Sequence, residues 1–187
     1  ERLAAGGRAL DIGCGTGIVP ITLARAFGAA HVEGLDVDAR SIELARANAR
    51  EAGVADRVVL RVAGAGDITA SPGYDLITTF DVVHDLPDPL GALQAIRGAL
   101  DPQGTYLMVE PRVDDRLAAN VGNPFARMLY AISCMHCVPQ ALAQGGPGLG
   151  ACWGPGKARA MAAKAGFGHF EALPIRSPAL AFYALRA

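Results

Sequence analysis

The chain has no apolar run approaching the roughly 20 residues that a membrane-crossing helix requires. Its first residues carry none of the features of a secretory signal. It has no basic excess either: 17 Lys and Arg against 18 Asp and Glu leave a formal net charge of -1, too little positive charge to advertise nucleic acid. Cysteine is scarce. Cys14, Cys134, Cys137 and Cys152 are too few and too clustered to staple a domain of this size, and a reducing cytoplasm is the expected setting. No internal repeat is visible and nothing marks a second domain. Glu1 as first residue, with a strand beginning so soon after it, suggests the C-terminal part of a longer protein.

What is present is apolar and periodic. With 51% hydrophobic and 19% charged residues, the 187 residues suit one globular domain with a substantial core. Up to about residue 110, short apolar runs alternate with helical patterns. "RALDIG", "HVEGLDV", "RVVLRVA", "YDLITTFDVV" and "TYLMVEP" read as strands. Between them lie helices over 17–27, over 39–52 with Ile42, Ala45, Ala49 and Ala52 on one side and Gly53 as stop, and from an Asp88–Pro89 cap to Leu100. "DPQG" reads as the turn that closes the last of these. Such alternation implies a parallel sheet covered on both faces.

Beyond Pro111 the rhythm changes. Residues 112–123 are polar and loop-like, and a helix marked by Phe125, Met128, Leu129 and Ile132 is expected to be interrupted by Pro139. A glycine-rich connection follows, then the helix "KARAMAAKAGF" and a closing hairpin of "HFEALPI" and "LAFYALRA".

The stretch "LDIGCGTGIVP" is strand, glycine turn and helix start, so its backbone can approach a ligand closely. It is not a dinucleotide turn, which would want glycine where Ile18 stands, nor a P-loop, which would want Lys followed by Ser or Thr. Asp11 at the mouth suits an ammonium with a sulfonium nearby and would repel a pyrophosphate. Asp36, about 20 residues past the turn, can accept from ribose hydroxyls. Asp67 can accept from an adenine amine while Ile68 covers the ring. Alone, each could be a helix cap or a solvated loop acid. Together they fall at successive strand ends, on the side where such sheets bind ligands.

"LDIGCGTG", "GLDVD", "GDI" and "FDVVHDLPDP" resemble the successive motifs of class I S-adenosylmethionine-dependent methyltransferases. The resemblance spans nearly the whole chain. It implies a three-layer, Rossmann-like α/β fold: a seven-stranded, mostly parallel sheet with an antiparallel last strand, which the closing hairpin independently supports. One domain over 1–187 would then comprise a cofactor-binding half (1–110), a lid or substrate insertion (111–153) and a closing helix and hairpin (154–187). Asp11 and the turn of Gly13, Cys14, Gly15 and Gly17 would hold the methionine part of S-adenosylmethionine. Asp36 with Val37 would take the ribose, Asp67 and Ile68 the adenine, and Phe80 and Asp81 would flank the methionine moiety. S-adenosylhomocysteine would be the product.

Methyl transfer is an in-line displacement governed largely by alignment, but a hydroxyl acceptor also needs a base. His84 and Asp85 resemble the His-Asp of plant-type small-molecule O-methyltransferases, in which the histidine is that base; the plainer reading is a loop residue lining the cofactor pocket. His136 is the alternate base. Cys134, His136, Cys137 and Cys152 raise the thought of zinc, yet on an apolar helix cysteines usually act as small hydrophobes, and no metal is expected. The insertion reads instead as a lid, with Tyr130, Met135, His136 and Trp153 lining the acceptor pocket.

The segment up to "GLGACWG" is similar to bacterial methyltransferases with an N-terminal winged-helix-like region, which implies a homodimer in the full-length chain. The expected activity is methylation of a small molecule, at oxygen. The chain also lacks the motifs of DNA amino- and cytosine-methylating enzymes, so no nucleic acid is expected on this domain. The alternative is a sensory domain that binds S-adenosylmethionine and regulates an attached DNA-binding module without turnover.

Overall fold

The computed structural model describes residues 1–68 and 73–187. Seven strands form one sheet: β1 (Arg8–Ile12), β2 (His31–Asp36), β3 (Val58–Val62), β4 (Tyr74–Phe80), β5 (Leu100–Pro111), β6 (His169–Ala172) and β7 (Leu180–Arg186). Their spatial order is β3-β2-β1-β4-β5-β7-β6. The first five pair in parallel, and β7 runs against both β5 and β6, as the closing hairpin leads one to expect.

Alternation along β1 separates two cores. Ala9 and Val32 pack with Ala24 of α1 (Ile18–Ala26) and with Ile42, Ala45 and Ala49 of α2 (Ala39–Glu51). Leu10, Ile77 and Met108 point the other way, toward Leu93 and Ile96 of α3 (Pro89–Ala99) and Ala158 and Ala162 of α6 (Gly154–Lys164). The period of two thus makes a sheet buried on both sides. Helix ends obey their caps: the Asp38 side chain accepts from the N–H groups of Arg40 and Ser41, and Asp88 from that of Gly91, just past Pro89.

One local expectation is corrected and one is refined. "DPQG" is not a free turn: it lies within β5, where the pairing with β4 slips between Tyr74 and Leu76, and so forms a bulge. Pro139 interrupts the regular α-helix, as expected, without ending it. α4 (Ala126–Ile132) continues through a π-turn, Ser133–Cys137, into α5 (Val138–Ala143). Pro139 sits in the first turn of α5, where its missing N–H costs least, and the wider turn before it makes room for its ring.

The direction in which strands are added reverses between β1 and β4, which themselves run parallel. Successive strands run outward from β1 to β3 on one side and from β4 to β5 on the other. The crevice at the C-terminal ends of β1 and β4 is where such sheets receive ligands.

Candidate active site

A cavity of about 670 Å³ opens at that crevice. Ile12 and Gly13 form its floor after β1, Asp36 and Val37 one wall after β2, and the turn Ala63–Gly66 lies beyond β3. Phe80, Asp81 and Val82 close it after β4, Leu86 to Asp88 and α3 bound it, and Gln140 and Gln144 of the insertion reach over it. Among the described residues lining it, Asp36, Asp81, Asp85 and Asp88 are acidic and none is Lys or Arg. The field favours a cation.

The turn is shaped for close approach. Gly13, Gly15 and Gly17 all take positive φ, at 70°, 51° and 86°. A Cβ on Gly13 would lie 2.5 Å from Val82 Cγ2. Gly15 N–H donates to Asp36 Oδ2 at 2.8 Å, tying the turn to the end of β2. Asp38 N–H donates to the other oxygen of Asp36 at 2.9 Å, so the carboxylate is held from two sides with lone pairs to spare. Cys14 is buried against Gly34, whose missing side chain makes the space. Asp81, at φ 62°, is the one described non-glycine residue with positive φ, a strained backbone of the kind found at functional sites.

Several sequence-derived candidates stand back from the cavity. Asp11 is buried beneath the turn rather than at its mouth, and accepts from Thr78 Oγ1 at 2.6 Å. Burial pushes its pKa up to about 7; the Thr78 hydrogen bond opposes this and the charge of Asp36 adds to it. Asp67 is exposed and its carboxylate accepts from Gly64 N–H at 2.8 Å, shaping the turn whose backbone lines the cavity. Ile68 packs against the main core. The lid expectation also needs revision. Met135 and His136 are exposed and Tyr130 is half-buried, none of them lining the cavity, while Trp153 is fully buried. For Met135 and His136 the π-turn is the reason: it turns Ser133 and Cys137 into the protein instead.

Behind the wall formed by Asp81 and Asp85 lies a buried polar cluster. His84 is only 2% exposed, and its Nδ1 lies 2.6 Å from Glu110 Oε2. Glu110 comes from β5 and is equally buried. It also accepts from Trp153 Nε1 at 3.0 Å and, through Oε1, from Val83 N–H at 3.0 Å. With Nδ1 donating to the carboxylate, Nε2 faces Asp85 Oδ1 at 3.4 Å and Asp81 Oδ1 at 3.9 Å. Burial alone would lower the imidazole's pKa, but the hydrogen bond and charge of Glu110, with the charges of Asp85 and Asp81, hold it above the ordinary 6.5. Motif reading missed Glu110 and the inward side of Trp153. An acid in the otherwise apolar "TYLMVEP" was the available signal, because a buried carboxylate demands donors.

The fold is a doubly wound α/β domain with its ligand crevice at the switch point, the architecture of class I methyltransferases. A family model described as a methyltransferase domain matches residues 3–171, and the chain belongs to that family. The ubiquinone biosynthesis O-methyltransferase of Pectobacterium carotovorum is 38% identical over 100 residues, 53% of this chain and 41% of that protein. The solved mitomycin 7-O-methyltransferase superposes with a TM-score of 0.73 at 21% identity, covering 100% of this chain and 51% of its own. An O-methyltransferase from neocarzinostatin biosynthesis, solved with S-adenosylhomocysteine and a dihydroxynaphthoic acid, gives 0.72 at 20% identity, with 100% and 51% covered. This chain therefore spans about half the length, or less, of these relatives. Among the described residues no helix is long and apolar enough to cross a membrane.

Proposed function

We propose that this domain binds S-adenosylmethionine in the crevice between β1 and β4 and directs its methyl group to an oxygen of a small-molecule acceptor. The observation that carries this reading is the cavity wall: glycine backbone and carboxylates, with no Lys or Arg among its described residues. That wall suits a cationic nucleoside bearing an amino acid and opposes a pyrophosphate. Bound there, S-adenosylmethionine supplies a methyl group on a sulfonium that is already a good leaving group.

The chain's own residues then divide the work. The backbone around Gly13, with Phe80 and Asp81, holds the methionine end, and Asp11 adds negative charge from beneath the turn. Cys14, Gly15 and Gly17 keep the turn in shape. Asp36 and Val37 take the ribose, and the Ala63–Gly66 backbone, shaped by Asp67 and backed by Ile68, takes the adenine. His84 takes the acceptor's hydroxyl proton at Nε2, with Glu110 fixing the tautomer through Nδ1 and stabilising the imidazolium that forms. His136 is set aside as the alternate base, because it is exposed, whereas His84 is buried beside Asp81 and Asp85 of the cavity wall and anchored by Glu110. The O-methyltransferase relatives support oxygen as the acceptor atom. The buried His84–Glu110 pair beside the cavity favours an enzyme over a sensor without turnover. The small number and clustering of the cysteines support a reducing, cytoplasmic setting. We further expect the full-length protein to pair as a homodimer and this domain to bind no nucleic acid.

The test is release of S-adenosylhomocysteine by the full-length protein offered S-adenosylmethionine with panels of phenols, carboxylic acids and amines. Turnover with a hydroxyl acceptor, lost in His84→Ala, is expected. Tight cofactor binding with no turnover, coupled to cofactor-dependent DNA affinity, would instead establish the sensor.

A further inference from the structure

The cysteine cluster that suggested zinc in the sequence is dispersed in the structure. Cys134 and His136 face solvent. The π-turn carries Cys137 inward, however, to a different set of partners. One ligand atom each from His84, Asp85 and Cys137 lie within 4.8 Å of one another. A cation bound at about 2.0–2.3 Å from N, O and S ligands holds them roughly 3.3–3.8 Å apart. His84 Nε2 and Asp85 Oδ1, at 3.4 Å, already stand at that spacing, so only a small inward shift of the thiol completes the set.

Three further features point to a positive charge at this place. Asp85 Oδ1 is buried and no N–H or O–H of the described residues donates to it; the neighbouring donor is the Cys137 thiol, whose pKa burial and the Asp85 carboxylate push up to about 11, so a cation must displace that proton. When His84 is neutral with its proton on Nδ1, a lone pair on Nε2 faces that oxygen, an arrangement that asks for a proton or a metal ion between them. Nδ1 is anchored on Glu110, which Trp153 and the Val83 N–H hold in turn. A histidine whose other nitrogen is fixed by a buried carboxylate is the usual support of a metal ligand.

We infer that His84 Nε2, Asp85 Oδ1 and Cys137 Sγ form a site for a thiophilic divalent cation of the zinc type, and that this cation, by capping Nε2, switches methyl transfer off. The inhibitory half rests on His84 acting as the base; the binding half does not. With His84 neutral, sulfur donates an electron pair to the metal as the thiol proton leaves to solvent, so one proton is released per ion bound, and a second leaves Nε2 where the imidazole starts protonated; binding tightens as pH rises. Asp81 Oδ1, 3.9 Å from Nε2, is placed to serve as a fourth ligand.

The experiment titrates cobalt(II) into the metal-free full-length protein, with neither cofactor nor acceptor present. One equivalent should give a near-ultraviolet sulfur-to-cobalt charge-transfer band, displaced by zinc. Cys137→Ser should abolish the band, Cys134→Ser and Cys152→Ser should keep it, and Glu110→Gln should weaken binding about 10-fold or more. Where Cys137→Ser fails to fold by circular dichroism, Asp85→Asn takes its place and should weaken binding similarly. Absence of a stoichiometric band, or a band lost with Cys134 or Cys152 instead, overturns the site. A separate arm adds zinc during turnover: wild type should lose activity and regain it with chelator, while Cys137→Ser resists. Wild-type activity that persists with the ion bound overturns the inhibition but not the site. A failure to find any methyl acceptor leaves the cobalt result standing, so the two readings fail separately.

Discussion

The half of the domain that precedes residue 111 and the insertion that follows it build their parts of the site by different means. In the first half the backbone does most of the work: glycines at positive φ, capped helix starts and carboxylates at strand ends. In the insertion the contribution comes from individual side chains set by an irregular helix. Gln140 and Gln144 reach over the cavity, Cys137 turns inward, and Trp153, just after the insertion's glycine-rich stretch, anchors Glu110 from behind. A site built on backbone tolerates change at surface side chains. One built on a π-turn depends on a few residues whose facing a single insertion or a proline could alter.

Mutations sharpen this contrast. The largest expected effect is at the junction of the two parts. His84→Ala should slow methyl transfer about 100-fold or more with cofactor affinity nearly intact, as single-turnover rates beside calorimetry would show. A slowdown of only a few-fold would return His84 to a packing role. Because the folded site holds its pKa above 6.5 and the neutral imidazole is the base, turnover should rise with pH through that raised value, and the rise should vanish in His84→Ala.

Next in size is the backbone half. Asp36→Ala removes the carboxylate that ties Gly15 and faces the ribose subsite, and should weaken S-adenosylmethionine by about 1.5–3 kcal/mol. Unchanged affinity would remove the ribose assignment. Asp11→Asn should act in two directions. The carboxyl's folded pKa, pushed up to about 7, lies above its unfolded value. The folded state therefore binds the extra proton, and stability falls as pH rises from about 4 through 7. Replacing the carboxyl with an amide should raise the melting temperature at pH 8 by about 5 °C, the equivalent of about 2 kcal/mol in a chain this size. The same change should weaken the cofactor, whose ammonium loses a charge partner. A variant no more stable than wild type at pH 8 would contradict that buried charge.

The smallest effect should come from the outer face of the insertion. Met135→Ala, at a side chain 75% exposed, should leave the acceptor KM and kcat within about twofold. A large change would mean that the lid closes on this face after all.

The difference between the halves also explains what could be read in advance. Strand alternation and the Asp88 cap follow from period and composition, and the reversal of the last strand from the closing hairpin and the family resemblance; all appear where expected. The glycine turn was legible because only glycine accepts its φ angles at little cost. Asp11 and Asp67 were placed at the right strand ends, but pattern does not say whether a strand-end acid faces the crevice or braces a turn. Trp153 looked like a pocket wall because nothing local reveals that Glu110, 43 residues earlier, waits for its N–H. The facing of Cys137 and His136 was beyond a 3.6-residue period, since the π-turn breaks that period at those residues.

The central claim is that the β1–β4 crevice is an S-adenosylmethionine site. It is tested most directly by calorimetric titration of the protein with S-adenosylmethionine and with S-adenosylhomocysteine, in parallel with Asp36→Ala. Micromolar, one-to-one binding of both, weakened in the variant, is the expected result. A full-length, folded protein that binds neither, or that binds both equally well without the Asp36 carboxylate, would contradict it.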